Sequence, residues 1–371
     1  MNAVDLLTQL IKIDTRNPPG STCVAAEKIA EVFSSYKVRF YEKEDKKVSI
    51  VVEIEKGEPT LMLTSHLDTV PSEDIYLNPV IVNGKIYGRG ACDAKASVAA
   101  MMCASLKAKT NCGLKLAFTC DEEIGGKNGL GFVFEKEKAD AVIIGEPTGL
   151  DSVGVLQANV LALELQFYGE SGHTALKDPR EGAIYKASKF LIDSVEKFKE
   201  LKGDFEEYSK KLSEIGFDFY LKSWQTAFNP AIISGGVKRN VVASNCSIKA
   251  DVRFSPWVSM EEVLKILKCD NYIIEGFLPA YGFLYDGVDF KRDVLLLNLI
   301  KKVIESFGLK PKAFFSLGVG DTRHVRKKGV PAFYYGPSGG NIHGDDEFVY
   351  LNELLNFVEA YKRTIEFFKM Y

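Results

Sequence analysis

The sequence predicts an α/β protein in which a mostly parallel sheet is flanked by helices and an α+β domain is inserted. Strand and helix patterns alternate in the first and last parts of the chain. The middle part instead has the order strand-helix-strand-strand-helix-strand, which is a split βαβ unit. Polar motifs directly follow several apolar strands of the alternating parts, where open α/β sheets build ligand sites.

Residues 1–156 are predicted to form the first part of the large domain. Apolar residues recur at helical spacing in Asp5–Ile13 and Thr22–Phe33, which predicts two amphipathic helices. The elements that follow are the strands Val48–Ile54, Thr60–Thr64 and Val80–Tyr87, the helix Ala94–Lys107, and the strands Leu114–Thr119 and Ala141–Ile144. Because strands interleaved with helices favour parallel pairing, we expect one sheet covered on both faces.

Residues 157–277 are predicted to be the inserted domain, and residues 278–371 complete the large domain. The predicted elements of the insertion are the strand Val160–Tyr168, helix Gly182–Phe198, strands Ala231–Gly235 and Cys246–Phe254, helix Met260–Leu267 and strand Tyr272–Ile274. The charged segment Lys199–Lys222 is expected to be a helical elaboration of it. Alternation then resumes with the helix Val294–Phe307, strand Ala313–Ser316, helix Asp321–Lys328, strand Ala332–Tyr335 and helix Leu351–Met370.

Composition favours a small-molecule partner. The chain has 371 residues, 47 basic and 50 acidic side chains and a net charge of -3, which gives no electrostatic basis for binding nucleic acid or a membrane surface. Its apolar runs are too short for a membrane span, and Asp5 stands where a signal peptide would be basic. The cysteines are odd in number and scattered, as expected of reduced thiols. We therefore expect a soluble cytoplasmic protein.

Imidazoles and carboxylates are concentrated in short motifs at the ends of apolar runs. The chain has only four histidines, and two of them lie in such motifs. The motif residues are His66 and Asp68 in Ser-His-Leu-Asp, Asp93 in Gly-Arg-Gly-Ala-Cys-Asp, the pair Glu122 and Glu123, Glu146 in Gly-Glu-Pro-Thr, and His343 in Asn-Ile-His. Imidazole and carboxylate suit zinc, and shared carboxylates suit a pair of metals. The set predicts a two-metal site.

Each motif also has a simpler interpretation. Taken alone, His66 could be a structural histidine, but Asp68 two residues later favours a ligand with an orienting carboxylate. The pair Glu122 and Glu123 could be a solvated helix start. The pair lies between an apolar strand and two glycines, which instead favours one glutamate as a metal ligand and the other as a catalytic residue. Asp93 could cap a helix, which is compatible with binding a metal.

Two further alternatives concern the remaining motif residues. Glu146, followed by a proline, could belong to a plain turn. Cys92 and Cys120 stand next to acidic motif residues and could be thiolate ligands. Because neighbours in extended segments point to opposite faces, we expect both thiols to face away from the site.

These motifs, in this order and across nearly the whole chain, resemble the di-zinc amidohydrolase and exopeptidase family that contains acetylornithine deacetylase, succinyl-diaminopimelate desuccinylase, aminoacylase-1 and glutamate carboxypeptidase. The resemblance implies a zinc-exopeptidase-like catalytic domain with an inserted lid and dimerisation domain. It implies that His66 and Glu146 bind one metal and that Glu123 and His343 bind the other. Asp93 would bridge both. Zinc is the expected metal, with cobalt as an alternative.

The resemblance also assigns the chemistry. Glu122 would be the general base that takes a proton from a metal-bridging water and returns it to the leaving amine, while Asp68 would orient His66. His173, in Gly-His-Thr, matches a histidine that stabilises the oxyanion in the partner subunit's site. The protein would then be a homodimer that pairs through the inserted domain. Alternatively, His173 is a surface loop residue.

Two further residues match lid positions that contact substrate in the family. These are Asn240 and Arg253. Arg253 suits a bidentate contact with a substrate carboxylate, although with Asp251 it could form only a charge pair on a strand surface. His324 is expected to be structural or to support the site from behind.

The resemblance implies metal-dependent hydrolysis of the amide bond of an N-acyl amino acid, as in acetylornithine deacetylase and succinyl-diaminopimelate desuccinylase. A dipeptidase or carboxypeptidase on the same scaffold, acting on a short peptide, is the alternative. A catalytically silent binding or scaffold protein is the third interpretation, and the retained Glu122 argues against it. Ala94, Ala96 and Ala243 depart from the family pattern and leave the substrate open.

Overall fold

The computed structural model describes residues 2–110 and 112–368. In this part of the chain the helices are α1 (Ala3–Lys12), α2 (Cys23–Val32), α3 (Lys95–Ser105), α4 (Leu130–Lys136), α5 (Ala183–Glu200), α6 (Glu206–Ile215), α7 (Met260–Ile266), α8 (Phe290–Glu305), α9 (Thr322–Arg326) and α10 (Leu351–Phe367). Met370, the predicted end of the last helix, lies outside the described residues. Within them, no helix is both long enough and apolar enough to cross a membrane.

The strands of the described residues form one large sheet and three smaller ones. They are β1 (Lys37–Glu44), β2 (Lys47–Glu55), β3 (Thr60–His66), β4 (Val80–Val82), β5 (Lys85–Tyr87), β6 (Gly113–Thr119), β7 (Ala141–Ile144), β8 (Ser152–Leu156), β9 (Asn159–Tyr168), β10 (Gly172–His173), β11 (Asp218–Leu221), β12 (Thr226–Gly235), β13 (Val241–Val242), β14 (Asn245–Phe254), β15 (Asn271–Leu278), β16 (Lys312–Phe315), β17 (Ala332–Tyr334), β18 (Gly339–Gly340) and β19 (Phe348–Tyr350).

The large sheet confirms the predicted α/β class. Its strand order is β1-β2-β6-β3-β7-β17-β8-β16-β11. The neighbouring pairs from β6 to β17 and from β8 to β11 are parallel. The sheet is nevertheless mixed, because the hairpin β1-β2 adds antiparallel pairs at one edge and β17 meets β8 in antiparallel fashion.

Both faces of the large sheet are covered. Leu61 and Leu63 of β3 belong to the core beneath α1, α3, α8 and α10, whereas Met62 between them belongs to the core beneath α4 and α9. This alternation follows from the two-residue period of a strand. The helix α3 is buried along its whole length, as expected of a helix that has no charged residue after Lys95. It fixes the loop that precedes it.

A second, antiparallel sheet has the order β12-β14-β9-β15. Helices α5 and α7 pack against one face of it and share a separate apolar core with it. Its chain order is strand-helix-strand-strand-helix-strand when α6, β11 and the two-residue strands β10 and β13 are set aside. The predicted split βαβ unit is therefore confirmed.

The segment Lys199–Lys222 differs from its predicted helical structure. It contains the end of α5, the helix α6 and the strand β11, which pairs in parallel with β16 at the edge of the large sheet. Tyr208 and Leu212 of α6 are buried in the core of the large domain. The four-residue strand is short and flanked by charged residues, so its pattern was not distinguishable from an amphipathic helix. The predicted domain limits, 157–277, stay a prediction.

Candidate metal centre

Adjacent parallel strands bring the early motifs to one edge of the large sheet. The strands β6, β3 and β7 are neighbours in the sheet and run parallel. His66 is the last residue of β3, Glu122 and Glu123 form a short 3-10 turn after β6, and Glu146 follows β7. Because the carboxyl ends of parallel strands lie together, these side chains meet.

The acidic turn after β6 depends on its two glycines. Gly125 and Gly126 have backbone φ angles of 115° and 64°. Residues other than glycine rarely adopt this backbone conformation. A Cβ atom on Gly126 would also collide with the carboxylate of Asp321. The glycines thus let the chain reverse directly behind Glu122 and Glu123.

The two remaining motifs reach the site through a small antiparallel sheet. Tyr87, at the end of β5, pairs with Phe348, at the start of β19. Because the strands are antiparallel, the loop after Tyr87 and the loop before Phe348 leave the same end of the pair. The first loop carries Asp93 and the second carries His343.

Asp93 lies between the two histidines. Its Oδ1 is 3.1 Å from His66 Nε2, and its Oδ2 is 3.1 Å from His343 Nε2. His66 Nε2 is also 3.8 Å from Glu146 Oε1, and His343 Nε2 is 3.3 Å from Glu123 Oε2. Two groups of ligand atoms result, and the atoms of each lie within 4.8 Å of one another. Asp93 belongs to both groups.

The electrostatics of this cluster fit divalent cations. Glu146 Oε1 is buried and has no hydrogen-bond partner, so a carboxylate oxygen is directed into the cluster without a proton donor. Burial and the charge of Asp93 raise the pKa of Glu146 well above its usual value. Hydrogen bonds to Asp93 and Glu123 raise the pKa of His343 to about 10. Cations would relieve this crowding of carboxylates, and imidazole with carboxylate is a donor set that zinc prefers.

Asp68 is buried behind the cluster and connects two of its parts. Its carboxylate accepts hydrogen bonds from the backbone N–H groups of Glu122 and Glu123, at 3.1 and 3.2 Å, and from Asn17 Nδ2 at 2.9 Å. His66 Nδ1 is 2.8 Å from the backbone oxygen of Asp68 and 3.6 Å from its Oδ1. Burial opposes ionisation, but these hydrogen bonds keep the pKa of Asp68 below its usual value.

Glu122 belongs to neither group of candidate ligands. It lines a pocket of about 740 Å³ together with Asp93, Glu123, Glu146 and His343. Burial raises the pKa of Glu122 well above its usual value, and the nearby carboxylates of Asp93 and Glu123 add to this effect. The site therefore contains one carboxyl group that is free to exchange a proton.

Three cationic side chains line the same pocket, and one of them was predicted. Arg253, on β14, lies there with Lys222 and Arg323. Arg253 Nε is 3.1 Å from Asp251 Oδ1, and its Nη1 donates a hydrogen bond to the backbone oxygen of Leu317 at 3.3 Å. Arg253 thus forms the charge pair that was the simpler interpretation and also faces the pocket.

His173 and Asn240 lie together, away from the pocket lining found among the described residues. His173 is on β10, which pairs with β13, and its partner in the register is Val241. The backbone N–H of Thr174 donates to the oxygen of Asn240 at 3.2 Å. His173 is exposed, and its Nδ1 accepts a hydrogen bond from the N–H of Ala175. The structure does not bring these two residues to the metal cluster of their own chain.

Several residues of the site have no role predicted from the sequence. Asn17, Lys222, Asp321, Arg323 and Tyr334 contact the cluster or line the pocket. Arg323 and Tyr334 carried no motif of their own. Lys222 directly follows β11, so recognition of that strand would have placed it at a strand end. Cys92 and Cys120 are absent from both ligand groups among the described residues, as predicted from their neighbours.

Burial beneath the acidic turn explains why His324 is uncharged. Its Nε2 is 3.0 Å from the backbone oxygen of Gly125, and it is 3.8 Å from Asp321 Oδ1. Burial, together with the charge of Arg323, lowers the pKa of His324 to about 4. His324 is therefore neutral near pH 7 and supports the turn from behind.

Comparisons with known proteins agree with this geometry. The model of the peptidase family M20/M25/M40 matches residues 62–366. The [LysW]-lysine/[LysW]-ornithine hydrolase of Sulfurisphaera tokodaii is 28% identical over 344 residues, which cover 88% of each chain.

Solved structures share the fold. A tripeptidase from Staphylococcus aureus has a TM-score of 0.74 at 19% identity and covers 98% of this chain and 97% of its own. An M20 family metallo-carboxypeptidase from Sulfolobus solfataricus has a TM-score of 0.70 at 20% identity, with 100% of both chains covered. At these identities the likeness establishes the fold alone. The match of the family model confirms the resemblance found in the motifs: the chain belongs to the peptidase family M20/M25/M40 and is a metal-dependent amidohydrolase.

Proposed function

We propose that this protein removes the acyl group from an N-acyl amino acid by hydrolysing the amide bond. The observation that carries the proposal is the position of Asp93, which is shared by two groups of candidate ligands, beside a free Glu122. The relative from Sulfurisphaera tokodaii supports an amino-acid product, because its name gives [LysW]-lysine and [LysW]-ornithine as the compounds that it hydrolyses.

His66 and Glu146 would hold one divalent cation, Glu123 and His343 would hold the second, and Asp93 would contact both. Imidazole and carboxylate donors make zinc the first candidate and cobalt the alternative. The charges support this set. Three carboxylates offset most of the charge of two dications, while both histidines bind as neutral ligands.

Bound divalent cations polarise the amide carbonyl and lower the pKa of a water molecule. Glu122 accepts the proton of the attacking water and donates it to the amine nitrogen as the C–N bond breaks. Burial raises the pKa of Glu122, which favours uptake of the proton by this carboxylate. Asp68 holds His66 and the N–H groups of the acidic turn in place.

The pocket supports a substrate that carries a carboxylate. Lys222, Arg253 and Arg323 line it from different elements, and cations complement the carboxylate of an amino acid. Lys222 Nζ is fixed by a hydrogen bond to the backbone oxygen of Pro147 at 3.0 Å, and the guanidinium of Arg253 is fixed by Asp251 and Leu317. Their positions do not depend on substrate.

We further propose that His173 acts in the site of a second subunit. In its own chain it lies on an exposed ribbon and does not line the described pocket. The inserted domain also exposes apolar side chains, including Ile192 of α5 at 74% and Ile232 and Ile233 of β12 at 59% and 52%. Such a surface is suited to a homodimer contact. Asn240, next to His173, would reach the substrate in the same way.

A dipeptidase or carboxypeptidase is the second candidate. Asp251 lines the pocket beside Arg253 and could pair with the free amino group of a peptide. An N-acyl amino acid has no free α-amino group when the acyl group is on the α-nitrogen, although an N-acyl ornithine or lysine keeps an amine in its side chain. A panel of N-acyl amino acids and dipeptides, assayed with zinc and with cobalt, separates the two.

Removal of metal by a chelator should abolish hydrolysis, and addition of zinc or cobalt should restore it. The metal content of the restored protein should approach two ions per chain. Hydrolysis that survives complete removal of metal would contradict the proposal. Hydrolysis of the dipeptides alone would favour the second candidate.

A further inference from the structure

We infer that Arg89 and Glu347 form a positioning pair that sets the placement of Asp93 relative to His343 and thereby the affinity for the second cation. The inference rests on the proposed function, because it assumes that these two residues bind metal. Neither Arg89 nor Glu347 lies within the ligand groups found among the described residues. They belong to the two loops that carry the ligands.

The carboxylate of Glu347 accepts four hydrogen bonds from the loop that carries Asp93. Its Oε1 accepts hydrogen bonds from the backbone N–H groups of Cys92 and Asp93, at 2.8 and 2.9 Å. Its Oε2 accepts from the N–H of Gly90 at 3.0 Å and from Arg89 Nη1 at 2.8 Å. A side chain from the loop of His343 therefore fixes the backbone at Asp93 itself.

Arg89, in the loop of Asp93, binds the backbone of the loop of His343. Its Nη2 donates a hydrogen bond to the backbone oxygen of Gly344 at 2.9 Å, directly after His343. The side chains of Arg89 and Glu347 are 2% and 1% exposed, so water does not compete with these contacts. Because each residue binds the backbone of the opposite loop, the pair holds the two ligands at one separation.

The loop of His343 needs such support. His343 is half exposed, and its φ angle is 65°, while Asn341 has a φ angle of 52°. Residues other than glycine rarely adopt this conformation, and it persists where surrounding contacts enforce it. Residues 341–343 are not buried, whereas Glu347 is. Glu347 is thus the buried anchor of an otherwise exposed ligand loop.

The first test is Glu347→Gln, with cation binding as the measurement. The amide keeps one acceptor oxygen, but its NH2 group cannot accept hydrogen bonds from backbone N–H donors. The hydrogen bonds accepted by one of the two carboxylate oxygens are therefore lost. Titration of the metal-free protein with Zn²⁺ should show that the dissociation constant of the ion that is lost in His343→Ala rises roughly 10–100-fold, as is typical when a group supporting a ligand is removed. The other constant should change less. The titration does not depend on turnover.

The matched control is Asp293→Asn. Asp293 forms another buried ion pair, with Arg326 at 2.8 Å and exposures of 1% and 0%, and its carboxylate contacts neither ligand loop. Its loss should lower the melting temperature without changing either Zn²⁺ dissociation constant. If both variants weaken Zn²⁺ binding equally, the pair contributes only general stability and the inference is wrong.

His343→Ala separates the inference from the proposed function. If this variant loses one Zn²⁺ while Glu347→Gln binds both as tightly as the unchanged protein, the positioning role is wrong and the metal site stands. If His343→Ala binds both ions unchanged, the proposed site itself is wrong. Should Glu347→Gln not fold, Arg89→Lys replaces it, because lysine keeps the charge but cannot bridge Glu347 and Gly344. Two unchanged Zn²⁺ dissociation constants in Arg89→Lys would overturn the inference.

Discussion

The metal cluster and the ribbon β10-β13 are the two regions that carry the proposed chemistry, and they are built differently. In the cluster, His66, Asp93 and His343 come from distant parts of one chain and lie within hydrogen-bond distance. In the ribbon, His173 of β10 is exposed, whereas Asn240, directly before β13, is half-buried with a buried Oδ1 that has no hydrogen-bond partner among the described residues. The fold of one chain brings the first region together, whereas the role proposed for the second would require a partner subunit. Four experiments test whether the two regions differ in this way.

Glu122→Gln should have the largest effect. The amide keeps the size of the side chain but cannot take up the proton, so kcat should fall roughly 10²–10⁴-fold. Since Glu122 belongs to neither ligand group, metal analysis should still find both ions. Preserved activity with both ions bound would exclude Glu122 as the base.

His173→Ala tests the ribbon. If this residue stabilises the oxyanion in a partner subunit, its loss should lower kcat roughly 10²–10³-fold with unchanged metal content. Mixed dimers of His173→Ala and Glu122→Gln subunits should regain activity, because one of the two sites then receives both intact groups. Mixed dimers without activity would contradict the contribution from the partner.

Arg253→Gln should act on binding rather than on the chemical step. A hydrogen bond to a charged group contributes about 1.5–3 kcal/mol, so KM for an N-acyl amino acid should rise roughly tenfold or more. The matched substrate is the same compound with its carboxylate converted to a carboxamide. If KM rises equally for both substrates, Arg253 does not bind the carboxylate.

The smallest effect concerns stability and pH. His324 has a pKa of about 4 in the folded protein, whereas an ordinary histidine has a pKa of 6.5, so the unfolded chain takes up its proton first as the pH falls. Its contribution is therefore complete above pH 6.5 and is lost as the pH falls toward 4, at about 1.4 kcal/mol per pH unit. Urea unfolding at pH 6.5 and 5.5 should show a smaller pH dependence in His324→Gln. An equal dependence in both proteins would contradict this assignment.

The sequence predicted the parts of the site whose position follows from strand ends. His66, Glu123 and Glu146 follow apolar runs, and parallel pairing was sufficient to place them together. Asp93 and His343 also lie in motifs recognised in the sequence, and the resemblance to the family supplied their roles, but their approach depends on the small sheet formed by β5 and β19. No local pattern in the sequence indicates that pairing, because each strand has three residues.

Other features could not be predicted, because they arise from packing between distant segments. The pocket cations Lys222 and Arg323 lie in segments without a recognised motif, and Asn17 reaches Asp68 across 51 positions. The strand β11 was missed because four residues give too short a pattern to distinguish strand from helix. The roles of His173 and Asn240 stay predictions, because the residues that would surround them belong to a second subunit.

The position of α6 and β11 limits how the inserted domain can move. The chain leaves the large domain after β8, returns to it for α6 and β11, leaves again for β12 and returns after β15. The two bodies are thus joined by four covalent connections, whereas a simple insertion has two. A domain joined by two chain segments can rotate about one hinge axis. A domain joined by four separate segments can rotate only if all four segments bend together. We therefore expect any closure over substrate to have a smaller amplitude than that of a domain inserted through two connections.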